Sequence, residues 1–242
     1  MKRILLLILA LTVVSCHVTE TIKISDNGSG TIATEQVREE EIYKKIAGES
    51  YGQDEKFQDT SYFFKDFINK YNATFFNAVV KERPIFLAYK DVEVAVNKNM
   101  KNKVFKTKLF QRFSSVEDIP DLYKTEDYAE DLKKSYSLGA EKHYFKLKYS
   151  FDGTVFRRIV DITSKENQEE KALEIDDIRA QFARTAISQN YILNYSFPRR
   201  IKYVSNDNAV LSSDKKSLTI EFILSDCITK PDITNLEVIL EK

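Results

Sequence analysis

The 242-residue sequence predicts an α+β fold: one domain with a mainly antiparallel sheet, built from hairpins and covered by helices on one face. Three observations carry this. Alternating apolar and polar runs are joined by Asn27-Gly28 and Asp152-Gly153, dipeptides that accept the positive φ of tight hairpin turns. Helical periodicity arrives in separate blocks between the strand runs instead of alternating with them. The chain is also rich in core-forming aromatics (13 Tyr, 16 Phe) and poor in Gly and Pro, with no internal repeat and no linker-like stretch.

The elements follow in order. In Val18 to Ser25, Val18, Ile22 and Ile24 share one face, and Asp26-Asn27-Gly28-Ser29-Gly30 turns the chain into a second extended run at Thr31. That turn lacks the spaced acidic ligands and closing Glu of a calcium loop, so it reads as a hairpin. Glu35 to Ala47 reads as a weak helix ending at Gly48, followed by a polar loop over residues 48–58. The strongest helical signal spans Thr60 to Lys81. There Phe63, Phe67, Tyr71 and Phe75 recur every four residues, flanked by Phe64, Ile68, Phe76 and Val79. After the short apolar run Ile85 to Tyr89, Asp91 to Asn97 and Val104 to Phe113 alternate as strands around a lysine-rich connection at 98–103. Those lysines read as guards against edge pairing, with contact to anionic headgroups as the functional alternative.

Ser115-Val-Glu-Asp118 resembles a capping box and predicts an irregular helix towards Leu138-Gly139. His143 to Phe151 and Thr154 to Ile162 form a second hairpin about Asp152-Gly153. Ser164 to Gln189 reads as a long amphipathic helix with Ile175, Ile178, Phe182 and Ala186 on one face. Three strand-like runs close the chain: Tyr191 to Val204 broken at Pro198, Ser217 to Leu224, and Ile233 to Leu240.

Ahead of the domain, Met1-Lys2-Arg3 is basic and Ile4 to Val14 is apolar except for Thr12. Such a segment is a secretory signal peptide. It extends only about 16 Å as a helix, against roughly 30 Å of bilayer hydrocarbon. Val13-Val14-Ser15-Cys16 resembles a bacterial lipobox, which assigns residues 1–15 to a cleaved signal peptide and 16–242 to a lipid-anchored domain. The resemblance implies a diacylglycerol thioether on Cys16 and an amide-linked third chain, and two or more chains give stable anchoring. Loss of residues 1–15 removes Lys2 and Arg3, leaving 35 basic against 37 acidic residues and a net charge near −2. A balanced, exported domain excludes nucleic acid as a partner. With Cys16 lipidated, Cys227 has no partner for a disulfide and reads as a buried small hydrophobe.

The lipobox, the strand into Asp26-Asn27-Gly28-Ser29-Gly30, and the closing Phe197-Pro198-Arg199-Arg200-Ile201, Val204-Ser205-Asn206, Ala209-Val210-Leu211-Ser212 and Asp214-Lys215-Lys216-Ser217-Leu218-Thr219-Ile220 resemble small lipoproteins of Bacteroidota. The opening and closing motifs also look like the folded domain of mycobacterial LppM-type lipoproteins. The likeness covers residues 11–37 and 195–242. It implies an envelope lipoprotein with an α+β domain and, from the LppM type, contact with lipid or glycolipid; no catalytic residue comes with it.

No motif carries chemistry. His17 and His143 lie far apart without a paired Cys/His spacing, so no metal is expected. There is no nucleophile elbow or P-loop and no Ser-x-x-Lys in a suitable context, since Ser164 is followed at once by Lys165, and acidic neighbours such as Asp118/Asp121 and Asp176/Asp177 read as caps or solvated faces. The expectation is therefore a non-catalytic, cofactor-free envelope lipoprotein that binds a lipid, glycan or protein. A structural or assembly factor and an unrecognised hydrolase are the alternatives. The membrane is the expected partner through Cys16, and Phe63, Phe67, Tyr71 and Phe75 are the ligand-contact face. His17-Val18-Thr19-Glu20 is not an acidic run, which points to the outer membrane facing the periplasm, with the cell surface as the alternative.

Overall fold

Alternation along the first strands decides the architecture. The computed structural model describes residues 15–39, 58–78, 80, 82–99, 104–134, 138–182 and 188–242. β1 (Ser15–Ile24) and β2 (Gly30–Glu39) form the expected hairpin, with Ile22 opposite Ile32 and Gly28 at φ 80° in the turn. Gly30 has no room for a side chain, since an added Cβ would lie 1.9 Å from the Lys23 carbonyl oxygen. β3 (Gln58–Phe63), β4 (Glu93–Asn99) and β5 (Val104–Phe113) extend this sheet antiparallel on the β2 side. β8 (Ser188–Ser196), β10 (Val210–Leu211) and β11 (Ser217–Ile223) extend it on the other, giving the order β10-β11-β8-β1-β2-β5-β4-β3. β1 and β8 run parallel, while every other described pair is antiparallel. A second sheet is ordered β6-β7-β12-β9 from β6 (Phe145–Phe151), β7 (Val155–Ile162), β9 (Ile201–Val204) and β12 (Leu236–Leu240). The fold is thus α+β and mainly antiparallel, as the hairpin signals predict, with its strands divided between two sheets.

The large sheet has one apolar face. Ile22, Ile24, Ile32, Val94, Leu109, Leu193, Tyr195, Leu218 and Ile220 are buried on it, whereas the opposite face carries Thr19, Thr21, Lys23, Lys108, Asn194 and Thr219. The small sheet packs on the apolar face: the Phe156 ring lies 5.4 Å from Tyr195 and 5.5 Å from Phe197. Helices cover the remainder of that face towards β3. α1 (Phe64–Lys70) and α2 (Asn72–Asn77) bury Phe64, Ile68 and Phe75, α3 (Arg83–Leu87) buries Phe86, and α4 (Thr125–Lys133) buries Tyr128 and Leu132. Two further helices are α5 (Lys165–Phe182) and α6 (Leu224–Thr229). No helix among the described residues is long and apolar enough to cross a membrane.

Several boundaries depart from the sequence pattern. Residues 60–63 belong to β3, where the Tyr62 pairing with Val94 adds a strand before the helix can begin. The expected single helix is broken at Tyr71 (φ −109°, ψ 37°), among asparagines 69 and 72 that favour caps over helix interiors. Glu35–Glu39 continue β2 instead of starting a helix, because their backbone pairs with Val104–Lys108; residues 40–57 lie outside the described residues. The Ile85–Tyr89 run is largely helical, starting with Pro84 in the first turn where its missing N–H costs nothing. Residues 115–134 resolve into 3₁₀ turns at Val116–Asp118 and Leu122–Lys124 on either side of Pro120, then α4. The long helix is described over Lys165–Phe182, residues 183–187 lie outside the described residues, and Ser188–Gln189, expected at the helix end, pair with β1 instead.

Candidate ligand-binding site

The four aromatics expected to form a contact face are not carried by one helix. Phe63 ends β3, is 41% exposed and lies beneath the Lys65 ammonium, 4.6 Å from its ring centre. Phe67 and Tyr71 pack together at 5.7 Å, with Tyr62 against Phe67 at 4.8 Å. Phe75 is buried against Phe86. None of the four lines the two cavities described below.

Those cavities lie between the layers as neighbouring lobes that have Tyr123, Tyr191, Leu224 and Ile228 as common walls. The narrower lobe has a cavity volume of about 120 Å³ and is walled by Phe145, Val160, Cys227 and Pro231. The wider one has a cavity volume of about 270 Å³, with Val18, Thr34, Gln36, Thr107 and Leu109 of the large sheet as its floor and Glu126 beside it. α6 forms a wall of both lobes and is held from outside: Arg179 of α5 donates to Ser225 Oγ at 2.7 Å and to Asp226, and Gln168 donates to the Thr229 carbonyl at 3.0 Å. Tyr144 donates to the Ile228 carbonyl.

Beside these lobes lies a buried ionic cluster. Glu20, wholly buried in β1, faces the small sheet and accepts hydrogen bonds from Tyr149 (2.9 Å), Tyr191 (2.8 Å), Tyr195 and Arg158 Nε (3.2 Å). Tyr123 donates to the Tyr191 hydroxyl at 2.8 Å and lies 3.1 Å from Glu20. Arg158 uses its remaining N–H groups on Tyr191, Glu20 and the Thr234 hydroxyl and carbonyl. Burial works to raise the Glu20 pKa, but the Arg158 charge and the hydrogen bonds from Arg158, Tyr195 and Tyr191 outweigh it and keep the carboxyl below its ordinary value. Burial first, then the Glu20 charge, pushes the Tyr149 and Tyr195 hydroxyls well above theirs. The chemistry here is that of a closed ion pair: a carboxylate whose acceptors are engaged, phenols that stay protonated and a guanidinium with no N–H to spare.

Other expected sites fall elsewhere. Cys16 is the second residue of β1, beside Gln189 of β8, so the expected lipid attachment point lies among the first paired residues of that strand. Cys227 is half-buried on the narrower lobe, and burial pushes its thiol up to about 12. His143 pairs with Asp127 at 2.8 Å, and no group of His, Cys, Asp and Glu suited to a metal ion occurs among the described residues. Asp121 is a cap, one of its two expected readings: at the start of the 3₁₀ turn Leu122–Lys124 it accepts from the Tyr123 N–H at 3.2 Å, and it is buried, with no partner at Oδ2. The sequence did hold a signal for the ionic cluster: Glu20 and Arg158 occupy inward positions in Val18-x-Glu20-x-Ile22 and Phe156-x-Arg158-x-Val160, oppositely charged interruptions of two apolar faces.

No family model matches this chain, and no curated protein matches it. Among solved structures, the NMR structure of the folded domain of the Mycobacterium tuberculosis LppM protein aligns over 93% of this chain and 89% of that one, with a TM-score of 0.42 and 8% identity. At that score and identity no residue role passes from one chain to the other.

Proposed function

We propose that this chain is a lipid-anchored protein of the bacterial envelope that binds an acyl-bearing amphiphile, without catalysing its conversion, in the crevice between its two sheets. The observation that carries the reading is the pair of neighbouring lobes walled by Phe145, Val160, Leu224, Ile228 and Pro231 on one side and by Val18 and Leu109 on the other. Apolar walls with a few polar groups suit a ligand that is mostly hydrocarbon. The ionic cluster alongside has no unengaged acid, base or nucleophile, which favours binding over turnover. The lipobox-like Val13-Val14-Ser15-Cys16 supports anchoring, and an anchor at the first residues of the central strand would keep the domain close to the bilayer. An outer-membrane position facing the periplasm remains the favoured placement.

Two experiments test this. Cells labelled with an alkyne-tagged fatty acid should yield tagged protein in the membrane fraction, and Cys16→Ala should yield none; equal labelling of both removes the anchor. The purified full chain should bind the neutral fluorescent probe N-phenyl-1-naphthylamine, and Leu224→Trp or Ile228→Trp should abolish the signal while leaving the circular dichroism unchanged. Undiminished binding by both variants would place the probe elsewhere and refute the crevice reading.

A further inference from the structure

A sheet face that serves as core is expected to be apolar, yet the wider lobe is floored by Thr34 and Thr107, 5% and 7% exposed, with Gln36 next to them. Thr34 stands between Glu20 on β1 and Leu109 on β5, and its Oγ1 is enclosed with no hydrogen-bond partner. A buried hydroxyl without a partner costs stability that an isosteric valine would not. A ligand hydroxyl in the lobe supplies the missing partner, since hydroxyls both donate and accept. Charge narrows the class further. Among the described lining residues Arg158 is the single cation, and Glu20, Tyr191 and Thr234 occupy its N–H groups. Glu126, at the same lobe, adds negative charge.

We propose that the wider lobe is a head-group site for an uncharged, hydroxyl-bearing amphiphile such as a monoacylglycerol, with Thr34 as a specificity-determining residue, and that it discriminates against carboxylate and phosphate heads. This rests on the crevice being an amphiphile site. The hydrocarbon chain lies in the narrower lobe past Leu224 and Ile228, and the glycerol hydroxyls meet Thr34, Thr107 and Gln36. An anionic head placed there meets no free cation and faces Glu126.

The test is displacement of N-phenyl-1-naphthylamine from the full chain by three ligands with the same C14 chain: monomyristoylglycerol, myristate and myristoyl lysophosphatidylglycerol. Monomyristoylglycerol should displace the probe at a concentration at least about tenfold below the other two. Thr34→Val should weaken monomyristoylglycerol by roughly threefold to tenfold, the worth of one hydrogen bond, without changing myristate. Thr34→Ser, which keeps the hydroxyl, should preserve the wild-type ratio. The ratio between ligands is the readout, so a general loss of affinity in a variant does not mimic the result. Equal or tighter displacement by either anion, or an unchanged ratio in Thr34→Val, overturns the head-group assignment while the crevice stands. Failure of the probe to bind the wild-type chain overturns both.

Discussion

Asp121 should give the protein a pH dependence opposite in sign to that of ordinary surface carboxylates. Burial pushes its pKa from the ordinary 3.8 up to about 6, and the charges of Lys124, His143 and Arg158 together with the Tyr123 N–H pull it back only in part. The folded state therefore binds this proton more tightly than the unfolded chain does. Below pH 3.8 both states are protonated and the group has no effect. As pH rises the unfolded chain ionises first, so stability falls, and the loss is complete above about pH 6. The gap between 3.8 and about 6 corresponds to about 3 kcal/mol at 1.36 kcal/mol per pKa unit. By pH 4.5 about 2 kcal/mol of this should have returned. Asp121→Asn removes the titration while keeping an oxygen for the Tyr123 N–H. Its new amide nitrogen sits where Oδ2 has no partner, a penalty independent of pH. The quantity to measure is thus a double difference: urea unfolding free energies of wild type and Asp121→Asn at pH 7.5 and pH 4.5. The wild type should gain about 2 kcal/mol relative to the variant on acidification, with all other carboxylates cancelling. Parallel curves, differing by the same amount at both pH values, would refute the argument.

Two further outcomes follow from the packing. Glu20→Gln leaves the Arg158 guanidinium buried without its counter-charge and should cost about 3–5 kcal/mol in denaturant unfolding; the double variant Glu20→Gln/Arg158→Met should recover much of it, and a single-variant loss below about 1 kcal/mol would contradict the pairing. Gly30→Ala drives a Cβ to within 1.9 Å of the Lys23 carbonyl and should lower stability by about 1–3 kcal/mol or more, whereas Gly28→Ala meets open space and bears only the left-handed backbone strain, about 1 kcal/mol; the reverse order in thermal melts would rule this out.

The hairpins were legible because their information is local. Asn27-Gly28 and Asp152-Gly153 determine turn geometry, and the alternation beside them determines which face is buried, so β1–β2 and β6–β7 follow from a few residues each. The helix beginning at Thr60 misled because apolar residues four apart also fit a strand followed by a helix. Only the pairing of Tyr62 with Val94, remote in sequence, separates the two. The parallel β1–β8 contact joins residues 15–23 to residues 188–196, and no local pattern encodes it. The crevice was invisible for the same reason: Val18, Thr107, Tyr123 and the helix carrying Leu224 and Ile228 come from four separated segments.

The ionic cluster and the crevice answer a single physical problem. Two apolar sheet faces tend to close on each other, because each square ångström removed from water contributes roughly 25 cal/mol. A crevice between them survives only if something fixes their separation. Glu20 and Tyr195 of the large sheet are hydrogen-bonded to each other, and Tyr149 and Arg158 of the small sheet reach Glu20 directly. Sliding or closing the layers would strip partners from a buried carboxylate and a buried guanidinium, a far larger penalty than the area gained. α6 is fixed independently by Arg179 and Gln168, so the outer wall does not depend on the contents of the crevice for its position. An apolar core of the same volume would hold the sheets together equally well but would set no particular gap between them. The geometry of the ion pair, with hydrogen bonds of fixed length and direction, fixes the separation of the two sheets beside the crevice.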